Sequence, residues 1–261
     1  NLTLNNNHYR LIANPVFENE QIIGAVILII DVSESVKREQ LRQEFTSNVS
    51  HELKTPLTSI SGFAEIMKNG DTPDTLVIDF SASIYDEAQR LISLVNDILK
   101  ISELDEKSMQ KEREEVDLYK LSRSVIKRLK SVADKRNISL NLIGKSTIIT
   151  GTENSLDEMI YNLCDNAIKY NLDNGSVDVI LSESNHHIPL TVKDTGIGIA
   201  QSEQQRIFER FYRVDKSHSK AIGGTGLGLS IVKHAAIYHN AEIELKSELG
   251  KGMTITIIFN K

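Results

Sequence analysis

Between Val77 and Ile101 the apolar side chains recur with a period of seven. Val77, Ile84, Leu91 and Ile98 hold one position of the repeat; Phe80, Leu94 and Ile101 hold the other, with Glu87 its one polar exception. Such a three-four repeat predicts a helix with an apolar stripe that must be covered by partner helices. A second helical pattern precedes it, from Ser33 in "DVSESV" to about Lys68, interrupted only by Pro56; Ser33 reads as its N-cap. The stretch "NGDTPDT" (69–75) breaks the two apart at Gly70 and Pro73. Two long helices joined by a short turn form a hairpin, and one hairpin covers its stripe poorly. Two hairpins from two chains would close a four-helix bundle, so residues 33–105 predict a homodimer.

The flanking regions differ. Residues 8–32 read as two β-runs around a polar turn, too little for a stable domain, and are expected to be the end of an upstream domain. The charged stretch "ELDEKSMQKEREE" (103–115) has few apolar residues, and 106–115 is expected to be a linker. Residues 116–261 then mix amphipathic helices (117–136, 153–170, 227–238) with strand-like runs that are mostly joined as hairpins. That mixture predicts an α/β sandwich, giving an α+β chain overall.

Composition excludes several function classes. A formal charge of −6 gives no general attraction to nucleic acid or anionic lipid. With Cys164 as the only cysteine, neither an internal disulfide nor a thiolate metal cluster can form, which suits a reducing compartment such as the cytoplasm. The longest apolar run, residues 22–30, is about half of what a helix needs to cross a bilayer. The chain starts at Asn1 without methionine, and a membrane anchor is expected, if anywhere, in an absent upstream segment.

Three constellations carry chemistry. In "FTSNVSHELKTPLTSISG" (45–62), a helical wheel puts Phe45, Val49, Leu53, Pro56, Ile60 and Phe63 within about 80° of one another and His51 near 240°. His51 therefore faces away from the bundle core, with Thr55 one turn on along the same face and Glu52 on the flank. A zinc-protease H-E-x-x-H is excluded, because Thr55 stands where the second histidine must be. The second constellation is a pair of glycine segments, "DTGIG" (194–198) after a strand and "GGTGLGLS" (223–230) entering a helix. Glycine admits a phosphate close to the backbone, and a helix N-terminus offers it unpaired N–H groups. Neither segment is a P-loop, since Leu229 stands where lysine is required, and Rossmann spacing is absent. Third, "NLCDNAIKYN" (162–171) sets Asn162, Asn166, Lys169 and Tyr170 on one helical face, where an amide oxygen can meet Mg²⁺ and a lysine can meet phosphate. Asparagines capping a loop would be the purely structural alternative.

Taken in order, "HELKTP", "NLCDNAIKY", "DTGIG", "FERFYR" (208–213) and "GGTGLGLS" resemble the H, N, G1, F and G2 boxes of bacterial sensor histidine kinases. "SELGKGMT" (247–254) resembles a further glycine box, and within the family the chain is most similar to the phosphate-sensing and cell-wall-sensing kinases of Gram-positive bacteria. The resemblance, over residues 33–261, implies a dimeric phosphoacceptor hairpin followed by an ATP-binding domain of the gyrase and heat-shock chaperone type. It also suggests that residues 1–32 end a PAS sensory domain.

By that resemblance His51 is the nucleophile, Glu52 accepts its Nδ1 proton, and the phosphohistidine passes its phosphoryl group to an aspartate of a response regulator. Thr55 would orient a water for dephosphorylating that regulator, and a bend at Pro56 would expose or hide His51. ATP would lie with its amino group on Asp194 and its base near Tyr170, with Mg²⁺ on Asn166 and phosphates near Asn162 and Lys169. Gly196 and Gly198 would shape the pocket, and Gly224, Thr225, Gly226, Leu227 and Gly228 would line its phosphate side. Residues 201–222 would form a mobile lid hinged at Gly223 and Gly224 and fastened by Phe208 and Phe211. Two departures stand out: Thr152 where the family commonly has aspartate, and His218 and Lys220 where relatives often carry lid arginines. The competing readings are a non-catalytic dimeric scaffold and an ATPase sharing only the C-terminal domain.

Overall fold

In the computed structural model the described residues are 2–4, 7–18, 20–70, 73–106, 113–184, 186–214 and 224–261. They divide into two compact units, Asn1–Ile84 and Tyr85–Lys261.

The first unit opens with an antiparallel sheet of β1 (Leu2–Leu4), β2 (Asn7–Glu18) and β3 (Gln21–Asp31), in that order. β-Branched residues crowd β3, yet both its faces are open: Ile22, Ile27 and Ile29 are each at least 60% exposed. Helix α1 (Ser33–Lys68) follows directly. Its N-cap is Val32 rather than Ser33, and the Ser33 N–H is taken instead by Asp31 Oδ1 at 2.9 Å. The Ser33 hydroxyl has turned to strand β2, where it accepts the His8 N–H at 2.7 Å, while Val32 N–H donates to His8 O at 2.8 Å. These bonds tie the sheet to the first turn of α1. Along α1 the residues Phe45, Val49, Leu53, Ile60 and Phe63 are half-buried and Pro56 is buried, which is the expected apolar face. Phe63 stacks on Phe80 of α2 (Asp74–Glu106), ring centroids 5.2 Å apart.

On α2 the expected stripe is the covered side: Leu94 and Ile101 are buried and the other stripe positions half-buried. A second row, Ile78, Tyr85, Ile92 and Leu99, also repeats every seven residues but is 52–69% exposed. The helix is therefore apolar on two sides.

The rest of the second unit is a two-layer α/β sandwich. Its sheet runs β5 (Ser139–Ile143), β7 (Ser176–Leu181), β8 (His187–Asp194), β10 (Met253–Asn260), β9 (Glu242–Ser247); β5 and β7 are parallel and the other pairs antiparallel. Alternate residues of the central strands, such as Val177, Val179, Leu190, Val192, Ile255 and Ile257, turn inward. They meet the buried faces of α3 (Leu118–Asp134), α4 (Glu153–Lys169) and α5 (Gly228–Tyr238) in one apolar core. Burial pushes the Cys164 thiol in this core up to about 12. Asp117 caps α3 by accepting the Tyr119 and Lys120 N–H groups. The expected linker 106–115 overlaps elements at both ends: Glu106 ends α2, and Glu114 and Glu115 belong to strand β4 (Glu114–Asp117), which pairs with β6 (Ile148–Gly151). Residues 107–112 of that linker lie outside the described residues.

Buried His239 pins α4 to the end of α5. Its Nε2 accepts the Thr152 N–H at 3.1 Å and its Nδ1 donates to Ala235 O at 2.7 Å, so the ring is held neutral. Burial lowers its pKa from the ordinary 6.5, reinforced by the charge of Arg113 and opposed by the Ala235 hydrogen bond. The unfolded chain thus binds this proton more readily than the folded one. The ring's contribution is intact above pH 6.5 and is lost as pH falls below it. Urea unfolding at pH 7.5 and 5.5 should accordingly show a loss of stability at the lower pH that is clearly smaller in His239→Gln.

Candidate functional site

The candidate residues fall in two sites, one in each compact unit. On α1, His51 and Thr55 are exposed and Glu52 is half-buried. The Thr55 hydroxyl donates to the His51 carbonyl at 3.2 Å, which leaves its oxygen free to accept a proton from solvent. Pro56 lacks the N–H that would bond the Glu52 carbonyl, so the helix loses one rung immediately after this group.

The second site lies between α4, the loop after β8 and the start of α5. Leu163, Cys164, Ala167 and Ile168 of α4 are buried, which leaves Asn162, Asn166, Lys169 and Tyr170 half-buried along its opposite edge. Each has a distinct state. Asn162 donates to Glu158 O at 2.8 Å, and Lys169 pairs with Asp165 at 2.6 Å. The Asn166 amide makes no hydrogen bond to the described residues and is available to a ligand. Opposite it, Gly228 begins α5, and a Cβ there would stand 2.8 Å from Asn162 Oδ1 and 3.5 Å from Asn166 Nδ2. Glycine is what lets the N-terminus of α5 lie against the amide row. Leu227, fully buried, anchors that helix start by accepting the Ser230 hydroxyl and the Ile231 N–H. Gly224 passes close to the Tyr170 hydroxyl, and the Gly226 carbonyl accepts the Phe211 N–H at 2.9 Å.

Asp194 closes the other end. It is 6% exposed, and its Oδ1 accepts the N–H groups of Gly196 at 2.8 Å and Met253 at 3.1 Å. Burial raises its pKa while the two backbone N–H groups lower it, with burial the larger effect. Oδ2 accepts no hydrogen bond from the described residues, so one carboxylate oxygen is held in place and the other is open to a donor. The Ile197 N–H donates to Tyr170 O at 3.1 Å, fastening this loop to the end of α4. Gly198 adopts φ +60° with the Glu248 carbonyl packed where a Cβ would be, so only glycine fits.

Residues 201–214, the described part of the expected lid, touch the domain at several points. They form consecutive tight turns, Ile207 is buried, and Gln204 Nε2 donates to Ser247 O at 2.9 Å. Phe208 and Phe211 are half-buried in this stretch. Gly223, His218 and Lys220 lie outside the described residues.

Sequence reading missed the groups that reach the site from elsewhere. From the part of α2 that belongs to the second unit, Asp97 accepts the Thr225 hydroxyl at 2.8 Å, and Thr225 Oγ1 in turn accepts the Leu227 N–H at 3.3 Å. Burial holds the Asp97 carboxyl above its usual range despite that bond. One turn on, Lys100 pairs with Glu158 of α4 at 2.7 Å. No local pattern marks an aspartate on a helix as the partner of a threonine over a hundred residues away. Among the described residues no group of three acidic, histidine or cysteine side chains could hold a metal by itself. No helix among them is long and apolar enough to cross a membrane.

Comparison with known proteins agrees with this geometry. Residues 41–107 match the family described as the His Kinase A (phospho-acceptor) domain, and residues 151–261 the histidine kinase-, DNA gyrase B- and HSP90-like ATPase. The sensor-like histidine kinase SenX3 of Mycolicibacterium smegmatis is 39% identical over 89% of this chain, and the sensor histidine kinase WalK of Bacillus subtilis 35% identical over 92%. The chain spans 61% and 40% of the length of these two relatives. Among solved structures, full-length ShkA in complex with AMPPNP is 27% identical with a TM-score of 0.61, over 85% of this chain and 45% of that one. Histidine kinase ThkA in complex with the response regulator TrrA has the same fold, at a TM-score of 0.66 and 24% identity over 100% of this chain and 77% of that one.

Proposed function

The chain belongs to the sensor histidine kinases, and from that premise we propose that it transfers the γ-phosphoryl group of ATP to His51 and from there to an aspartate of a response regulator. The observation that carries this reading is the pairing of an Asn166 amide that no described residue engages with the glycine-started helix α5, beside a carboxylate that keeps one oxygen open among the described residues. In the proposed complex the Asp194 Oδ2 receives the adenine amino group and Tyr170 lies beside the base. Asn162, Lys169 and the N–H groups around Gly224, Thr225, Gly226, Leu227 and Gly228 face the phosphates, while Gly196 and Gly198 let the loop pass close to the base. In that complex Lys169 exchanges Asp165 for a phosphate oxygen.

Among the described residues, which hold no acidic cluster, Mg²⁺ would share the Asn166 amide oxygen with the triphosphate and water, neutralising charge on the phosphate oxygens. On α1, Glu52 takes the Nδ1 proton of His51 and leaves Nε2 to attack, a general-base role contributing about 10²- to 10⁴-fold. The exposed row Ile78, Tyr85, Ile92 and Leu99 supports a homodimer, because a four-helix bundle needs a second covered side on each helix. The open sheet β1–β3, bonded into the start of α1, supports reading residues 1–32 as the end of a PAS-like sensory domain that feeds the signalling helix. The reading places the chain in the cytoplasm.

Incubation with ATP and Mg²⁺ tests the proposal: the protein should acquire a phosphoryl group that acid removes and base does not. A chain that binds ATP yet stays unlabelled would be a scaffold or a plain ATPase.

Thr55 supports a second activity, dephosphorylation of the regulator. Its hydroxyl proton is engaged by the His51 carbonyl, so its oxygen can accept from a water and aim it at a docked phosphoaspartate. Thr55→Ala should still label with ATP but clear regulator phosphate at least about tenfold more slowly, a typical loss when positioning is removed. The measurement is the decay of purified phosphorylated regulator with ADP present.

A further inference from the structure

Arg136 lies beyond α3, yet its side chain ends at the last turn of α4. Nη1 donates to Ile168 O at 2.8 Å and to Lys169 O at 3.1 Å, Nη2 to Asn171 O at 2.7 Å, and Nε to Asp173 Oδ1 at 2.9 Å. The last carbonyls of a helix have no partners within it, and a cation there also meets the negative end of the helix dipole. One planar guanidinium gathers two of them, Ile168 O and Lys169 O, together with the carbonyl of Asn171 just past the cap.

The segment held this way is the one to which the adenine loop is attached. Between the carbonyls of Lys169 and Asn171 lies Tyr170, whose own carbonyl accepts the Ile197 N–H. Asn171, 3% exposed, accepts the Thr195 hydroxyl at 3.2 Å on Oδ1 and donates to Ser176 O at 3.0 Å through Nδ2. Thr195 and Ile197 flank Gly196, whose N–H fixes the Asp194 carboxylate. The backbone approach is also tight, because a Cβ on Gly196 would overlap the Tyr170 carbonyl oxygen. A shift at the end of α4 is therefore transmitted to Asp194 and Tyr170 with little slack.

We propose that Arg136 is a positioning residue for nucleotide binding: its fork sets where α4 ends and thereby where the groups for the adenine base stand. This deepens the nucleotide-site reading above and rests on it. Arg136 itself touches backbone carbonyls and Asp173 and no side chain assigned to the phosphates, so its loss is read chiefly in nucleotide affinity rather than in the transfer step.

The test is calorimetric titration of the whole chain with ADP, together with the ATP dependence of autophosphorylation. Arg136→Ala should weaken ADP binding and raise KM for ATP by about tenfold, with the rate at saturating ATP within about twofold of the parent. Arg136→Lys, which keeps the charge but not the fork, should fall between the two. A merely structural cap predicts a lowered melting temperature with unchanged ADP affinity, and that result would overturn the inference. If Arg136→Ala does not fold, Arg136→Lys decides: parent-like ADP affinity overturns the proposal and weakened affinity supports it. A parent chain that fails to bind ADP overturns the nucleotide-site reading and this inference with it, whereas ADP binding by the parent and equally by Arg136→Ala overturns this inference alone.

Discussion

His51→Gln should take up no acid-labile phosphate from ATP while binding ADP with nearly the parent's affinity. The nucleophile must be a neutral imidazole on an exposed surface, and His51 is exposed on the side of α1 opposite its apolar face. Glutamine keeps the helix and roughly the side chain's length but offers no nucleophilic ring nitrogen, so labelling should drop to background. The substitution removes none of the residues proposed for the nucleotide site, all of which lie in the second compact unit, so ADP affinity is expected to hold. The measurement pairs autoradiography after acid and base treatment with a nucleotide titration; base-stable label persisting on the variant would move the phosphoacceptor to another histidine.

Asn166→Ala should be nearly as severe. Of the four polar groups on that edge of α4, Asn162 and Lys169 already have partners within the helix, whereas the Asn166 amide has none among the described residues. Removing it takes nothing from the apolar core, since the buried face is built from Leu163, Cys164, Ala167 and Ile168. Alanine is also the better helix former, so the melting temperature should hold or rise slightly. Autophosphorylation should nevertheless fall by about 10²-fold or more, the scale of losing a group that positions transition-state charge. Near-normal labelling by this folded variant would show that the metal is held elsewhere.

Much of this was legible in local pattern. The seven-residue stripe of α2 and the apolar face of α1 both turn inward, because helical periodicity alone fixes which side chains share a face. The α4 edge was legible for the same reason. Ser33 was misread because its hydroxyl found the His8 N–H, a partner twenty-five residues away, while its own N–H donates to Asp31. Strand β4 hid in a charged run, since an edge strand paired only with β6 needs little apolar sequence. Asp97, Arg136 and Asn171 were invisible because their partners are fixed by tertiary packing and not by spacing. The outer row Ile78, Tyr85, Ile92 and Leu99 could have been found, for its period is as regular as that of the stripe beside it.

In the proposed dimer that outer row would make subunit concentration a thermodynamic variable of the fold. A lone chain would leave the row open, and each doubling of concentration would favour the closed bundle by mass action, as a bound ligand would. In the proposed dimer the folded state is a property of the pair, and a cell that lowers the level of this protein also lowers the stability of every copy that remains.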